Sequence, residues 1–438
     1  MPDYNQQFKE AIKELQLPDK PIERVSNTVK ELLNRNSYYI DIHTHLFDIK
    51  CVNKAYFLLR AIKDLLGLKA VENISANFDS VDEIYNTIEQ SGQGDWAEQL
   101  DIEFTQHNPV AYDVTTKGIA DWWNARKFLT FKKMEDVYQY YLDEFSLTRY
   151  LEKNDVLITA LMMDLEMGWG CSLNKDLHTQ IDELRILAMN KPVLPFLCCD
   201  PRRADIADPD KNLYTLFAKA FSNDGGQPFF GVKIYPAMGY DPSDYRLTPI
   251  YEFCQEYNIP VLSHNGGEAV STDKLKIIVY DADGNPHNIT ATKRTEMAYQ
   301  LNDPSRWAGA LKKFPKLKLD IAHFGGSATW QQPGEINYKG QKRKETIFNF
   351  MKDYENVYAD FAFQIVDENA SRSLREVLSQ KEAYRNKTLF GTDYWVVNPQ
   401  GNLYNEQTRF LQTLDHNLNK LPLSKILTET NPYKYLFE

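Results

Sequence analysis

Tyr38-Tyr-Ile-Asp-Ile-His43-Thr-His45-Leu-Phe-Asp48 begins as an apolar, β-prone run and ends in two histidines one residue apart. Alternate side chains of a strand point to the same face. His43 and His45 therefore aim at one point from the C-terminal end of a strand, in a preset geometry that suits one metal ion. Asp41 is expected to face away from the pair by strand alternation and to act as a structural partner. A His-x-His pair is a weak signal alone, so the later chain has to supply the other ligands.

Composition bounds the answer. The 438 residues are long for one domain but suit a barrel with insertions. Hydrophobic residues at 43% and aromatics at 13% provide for a large core and argue against disorder. With 61 acidic against 50 basic residues the formal net charge is -11, which leaves no basic stripe for a nucleic-acid partner. The five cysteines are odd in number and contain no Cys-x-x-Cys, so a reducing compartment is the simpler expectation. Residues 1 to 20 lack the apolar core of a signal peptide, and no run approaches the ~18 apolar residues of a membrane span. The expected setting is cytoplasmic, with no membrane partner.

Working outward from the opening strand, residues 1–36 read as helical, with Phe8, Ile12 and Leu15 on one face and a second helix over Pro21 to Asn34. Residues 49–155 contain no strand as clear as the first. Val81, Ile84 and Ile88, and then Val137, Tyr141 and Phe145, fall at helical spacing, while Ile119, Trp122 and Trp123 add aromatic bulk. This region reads as a mainly helical insertion that either packs on the outside of the main domain or caps its mouth. After Asn154 the rhythm changes. Short apolar runs recur at Val156–Met162, Val193–Cys198, Phe230–Tyr235, Pro260–Leu262, Leu317–Ala322, Val357–Phe361 and Thr388–Phe390, each followed by a turn and a helix-like stretch. With Tyr39–Ile42 they number eight. A longer excursion between the fifth and sixth runs contains a hairpin around Asp283-Gly284. Eight such units predict an α/β fold, a distorted (β/α)8 TIM barrel with a largely helical insertion after strand 1. The chain divides into residues 1–48 (N-terminal helices and first strand), 49–155 (insertion) and 156–438 (the rest of the barrel). No Gly-x-Gly-x-x-Gly follows a strand, which weakens an open dinucleotide-binding sheet.

Barrel enzymes carry their chemistry at the C-terminal ends of the strands. Those positions hold His43 and His45 on the first strand, Lys233 on the fourth, His264 on the fifth, His323 on the sixth and Asp393 on the eighth. Four of the eight histidines thus fall on strand ends; His107, His178, His287 and His416 read as surface or structural. Imidazoles with a carboxylate suit Zn²⁺ or a similar divalent ion, which with one open position binds water and lowers its pKa toward ~7. Tyr235, Asn265, Tyr394 and Trp395 are candidate pocket walls. Asp164, Glu166, Asp200, Arg202 and Arg203 lie after the second and third strands, where Arg202 or Arg203 can bind a substrate carboxylate or form salt bridges.

These motifs, in order Asp41-Ile-His-Thr-His45, Gly231-Val-Lys-Ile-Tyr-Pro236, Pro260-Val-Leu-Ser-His-Asn-Gly-Gly267, Leu319-Asp-Ile-Ala-His-Phe-Gly-Gly326, Asn356-Val-Tyr-Ala-Asp360, Leu389-Phe-Gly-Thr-Asp-Tyr394 and Glu429-Thr-Asn-Pro432, resemble the amidohydrolase superfamily. The likeness is greatest to its amidohydrolase-2 branch of metal-dependent hydrolases and decarboxylases. It implies one ion held by His43, His45, His264 and Asp393, with Zn²⁺ favoured and Mn²⁺ as the alternative. It also implies His323 as an acid/base or substrate contact and Asp393 as general base. In a two-metal arrangement Lys233, carboxylated, and His323 would serve a second ion; otherwise Lys233 is a cation at the barrel mouth. Tyr235, Arg202, Asn265 and Trp395 are the expected substrate contacts. The implied activity is hydrolysis of an amide, lactone or ester bond of a small substrate by a metal-activated water. The alternatives are a metal-dependent decarboxylase of a small unsaturated or aromatic acid and a catalytically silent barrel used for binding. The resemblance also implies a homodimer.

Overall fold

The computed structural model describes residues 2–52, 131–266, 270–326, 329–330, 338–394, 403–416 and 421–438. Eight parallel strands follow one another around a barrel: β1 (Tyr38–Thr44), β2 (Asp155–Leu161), β3 (Val193–Cys198), β4 (Gly231–Ile234), β5 (Val261–His264), β8 (Leu319–Ala322), β9 (Val357–Phe361) and β10 (Thr388–Phe390). The intervening β6 (Lys276–Tyr280) and β7 (Pro286–Thr290) form the antiparallel hairpin expected around Asp283-Gly284. All eight runs read from the apolar pattern are strands. Most are buried along their whole length, because helices cover one face and the barrel interior the other.

The barrel closes beyond β10. Asp393 N–H donates to the His43 carbonyl at 2.8 Å, and His45 N–H donates to the Tyr394 carbonyl at 3.1 Å. A parallel bridge joins Thr44 to Tyr394. The floor is an apolar plug of Ile40, Leu157, Leu194, Phe196, Leu262 and Leu389, sealed from below by Val29, Leu32, Tyr435 and Leu436. The N-terminal segment is more broken than the apolar spacing suggests. The first helix spans only Tyr4–Ala11, and a short 3-10 turn at Pro21–Arg24 precedes a helix at Asn27–Arg35. Ser26 caps that last helix through the Val29 N–H, so the serine, and not Pro21, sets its start.

Strict alternation would put Asp41 on the same face as His43, since both positions share parity. The separation arises differently. The pairing of β1 with β2 shifts register between Asp41 and Thr44, where three steps on β1 match two on β2. Such a bulge re-aims the side chains that follow it. Asp41 consequently turns to Thr392 and to the Tyr141 hydroxyl (2.9 Å), while His43 turns to Asp360.

Of the insertion, residues 53–130 lie outside the described residues, as do the helical spacings read at Val81–Ile88 and Ile119–Trp123. Its last helix, Met134–Glu144, packs on the outside of the barrel, with Val137 and Tyr141 buried and Tyr141 hydrogen-bonded to Tyr39 at 3.1 Å. The chain leaves and returns at one anchored point. Lys175 Nζ pairs with Asp48 (2.5 Å) and with Glu183, whose other oxygen accepts from Met134 N–H at 2.7 Å. All five cysteines are free, and no helix among the described residues is long and apolar enough to cross a membrane.

Closure depends on a missing side chain. A Cβ added to Gly391 would lie 2.5 Å from His43 Cβ and 3.1 Å from His43 N. Gly391→Ala is expected to destabilise the protein by about 1–3 kcal/mol through overpacking. A denaturant titration that leaves the midpoint unchanged would show that β1 and β10 do not meet this closely.

Candidate metal centre

Three of the expected ligands converge at the mouth of the barrel. Single ligand atoms of His43, His45 and Asp393 lie within 4.8 Å of one another, and all three residues are buried. Asp393 Oδ1 stands 3.5 Å from His43 Nε2 and 3.4 Å from His45 Nε2. The far side of each ring is already occupied. His45 Nδ1 lies 3.0 Å from the Leu161 carbonyl, which can only accept, so Nδ1 carries the proton and Nε2 offers its lone pair. His43 Nδ1 lies 2.7 Å from Asp360 Oδ2, which sets the same tautomer. Asp393 has φ of +52°, a left-handed value that a non-glycine residue adopts only when its surroundings impose it. The backbone bond from its N–H to the His43 carbonyl accompanies this conformation.

Lys233, His264, His323 and Tyr235 complete the cluster. Lys233 Nζ approaches His43 Nε2 at 3.4 Å. His264 Nδ1 and His323 Nε2 are 2.9 Å apart, and the Tyr235 ring lies over His264 with centroids 4.3 Å apart. Asp360 also forms, with His43 and His323, a second group of potential ligands. Both of its oxygens are already in use: Oδ2 holds His43, and Oδ1 accepts the His323 N–H at 2.7 Å.

The other expected contacts are placed apart from this convergence. Asn265 is buried beside His264 and donates to the Asn302 carbonyl at 3.3 Å. Arg202 is committed to Asp200, with Nε at 2.9 Å and Nη2 at 2.5 Å, and to the Met238 carbonyl at 2.9 Å. Arg203 is buried against Asp164 and Glu166. Tyr394 is buried against Tyr141, and Trp395 lies outside the described residues. His178 and His287 sit in surface ion pairs and His416 is exposed, whereas His107 lies outside the described residues.

Electrostatics set the protonation of the cluster. Burial pulls His43 and His264 well below the usual imidazole range and brings His323 down to about 3. All three are therefore neutral, as ligands and hydrogen-bond relays must be. Burial also lowers the Lys233 amine to about 8, opposed by the carboxylates of Asp360, Asp393 and Asp320.

The donor set fits a divalent cation. Among the described residues His264 Nε2 and His323 Nδ1 are buried nitrogens with no hydrogen-bond partner, an expensive condition unless something accepts their lone pair or proton. Nitrogen and carboxylate oxygen together suit Zn²⁺ and its neighbours.

The residues that sequence reading missed support this cluster from behind. Asp360 ends a strand and so had a positional signal. Gln364, which donates to the His323 carbonyl at 2.5 Å, had none, and Arg343 had only its helical spacing with Ile347 and Met351.

A family model described as amidohydrolase matches residues 207–428, just over half of the chain. Among solved structures the chain is similar to a TIM-barrel protein of Bordetella bronchiseptica, at 14% identity, over 74% of this chain and 91% of that one, with a TM-score of 0.43. It is similar to an amidohydrolase of Burkholderia multivorans with bound Zn, at 10% identity, 67% and 86% coverage and a TM-score of 0.41. It is also similar to a protein of Lactobacillus casei named as a metal-dependent hydrolase, at 12% identity, 94% and 98% coverage and a TM-score of 0.40. No curated protein matches the sequence.

Asp360→Asn keeps the shape of Asp360 but replaces one of its two acceptors with a donor facing a donor. Divalent-metal affinity is expected to fall about 10- to 100-fold while the protein stays folded. Competition against a chromogenic chelator measures it, and an unchanged affinity would contradict the role of Asp360 behind His43.

Proposed function

We propose a specific chemistry for a chain that belongs to the amidohydrolase family of metal-dependent enzymes: hydrolysis of an amide, lactone or ester bond in a small substrate. One divalent cation, Zn²⁺ in preference to Mn²⁺, would be held by His43, His45, Asp393 and His264. The observation that carries this reading is the convergence of His43, His45 and Asp393, together with a buried His264 Nε2 that has no hydrogen-bond partner among the described residues. When bound, the cation lowers the pKa of water and polarises a carbonyl oxygen.

The tautomers give each side chain a task. His43 and His45 offer Nε2, because Nδ1 of each is a donor to Asp360 and to the Leu161 carbonyl. If His264 likewise offers Nε2, its Nδ1–H donates to His323 Nε2, 2.9 Å away. A neutral His323 then carries its proton on Nδ1, the atom without a partner, and presents it to a leaving group. Asp393 has a second oxygen to accept the proton released by water. Tyr235 shields His264, and Lys233 balances the three buried carboxylates around it.

A single ion is favoured over two by Asp360. A second ion on His43, His323 and Asp360 would compete with the hydrogen bond that Asp360 Oδ2 now accepts from His43 Nδ1–H. Lys233 would remain an amine and contact the substrate.

One observation favours the second reading, decarboxylation of a small unsaturated or aromatic acid. Among the described residues Lys233 forms no ion pair at contact distance, so its ammonium is available for a substrate carboxylate. A panel of lactones, amides, esters and aromatic acids separates the two: CO₂ release from the acids, without hydrolysis of the others, would replace the hydrolase reading.

His323→Asn tests the assigned roles. Turnover is expected to drop by about 10²- to 10⁴-fold with metal content equal to wild type. A variant with half the wild-type metal would require a second ion.

A further inference from the structure

Arg343 is a fully buried arginine, 2% exposed, that forms no ion pair among the described residues. A guanidinium without a carboxylate partner is costly to bury and needs another explanation. Its donors reach four backbone carbonyls instead. Nε donates to Gly325 at 3.0 Å and Nη1 to Tyr299 at 3.1 Å. Nη2 donates to Asn265 at 2.5 Å and to Asn302 at 2.7 Å. Two of these carbonyls are significant for the site. Asn265 directly follows His264, and Gly325 is two residues beyond His323. One planar group therefore spans the ends of β5 and β8, the two strands whose histidines touch.

The backbone on the β8 side needs such support. His323, Phe324 and Gly325 have φ of +60°, +41° and +84°, three successive left-handed residues of which only one is glycine. Non-glycine residues persist there only when neighbours over-determine the conformation. Each of the three carbonyls is held by a side chain from elsewhere: His323 by Gln364 at 2.5 Å, Phe324 by Trp330 at 3.3 Å, and Gly325 by Arg343. Arg343 alone among these three also grips the neighbouring strand end. Lysine could not replace it, because a compact ammonium lacks the rigid fork that reaches both rims at once.

We propose that Arg343 is a positioning residue that locks the β5 and β8 rims together and thereby fixes the hydrogen bond between His264 and His323. This rests on the proposed role of that pair in proton delivery. It touches neither substrate nor cation, and it acts through the backbone of the two histidine-bearing turns.

Arg343→Lys and Arg343→Gln in the full-length, metal-loaded protein test this. Crystal structures should show His264 Nδ1 and His323 Nε2 out of hydrogen-bond reach, with metal content equal to wild type. kcat should fall by about 10- to 100-fold with KM within about twofold, a split that general destabilisation does not produce. An intact imidazole pair in either variant overturns the proposal, whatever the rate does. If wild type turns over nothing in the substrate panel, the hydrolase reading fails, and the imidazole separation still decides the question for Arg343. Should neither variant fold, hydrogen exchange on wild type replaces them. Residues 263–266 and 323–326 are expected to open together, and independent opening overturns the proposal.

Discussion

The Asp360 carboxylate is the interaction on which the centre depends. One oxygen holds His43 Nδ1–H at 2.7 Å and the other holds the His323 backbone N–H at 2.7 Å. The first bond fixes the tautomer of a histidine proposed as a ligand; the second pins a turn in which three residues are left-handed. A buried imidazole has no water to settle its proton, so a fixed acceptor must do it. Burial together with the neighbouring Asp360 pushes the carboxyl of Asp320 well up. Burial raises the Asp360 carboxyl as well, and its contacts with His323 and Lys233 oppose that rise.

Strain is concentrated on the same rim. Among the described residues Asp393, His323 and Phe324 are three of the six non-glycine residues at positive φ, and all three stand at the mouth of the barrel. Apart from the bulge in β1, the described barrel strands pair in regular parallel register. Such a division is expected where preset geometry matters more than local comfort.

Much of the architecture was legible before any coordinates. Apolar runs bounded by turns identify buried strands regardless of what lies between them, and all eight were found. The residues on strand ends were legible because barrel topology gives those positions a common address. What could not be read depended on tertiary geometry. The bulge in β1 separates Asp41 from His43, although alternation along the strand would have joined them. Arg343 lies in a helix among Lys339, Lys342 and Lys344, and nothing in composition marks it as buried. Its spacing with Ile347 and Met351, both buried, places it at the head of an apolar stripe, a faint signal visible only in retrospect. Asp360 was visible as the end of a strand, but its pairing with His43 joins residues 317 positions apart.

The central claim is that His43, His45, His264 and Asp393 form a metal-binding centre of nitrogen and oxygen ligands. X-ray absorption at the metal edge of the zinc-loaded protein tests it most directly. One ion per chain is expected, with nitrogen and oxygen scatterers at about 2.0–2.2 Å and the outer-shell scattering of imidazole rings. A sulfur shell at about 2.3 Å, or a spectrum without imidazole scattering, would contradict it.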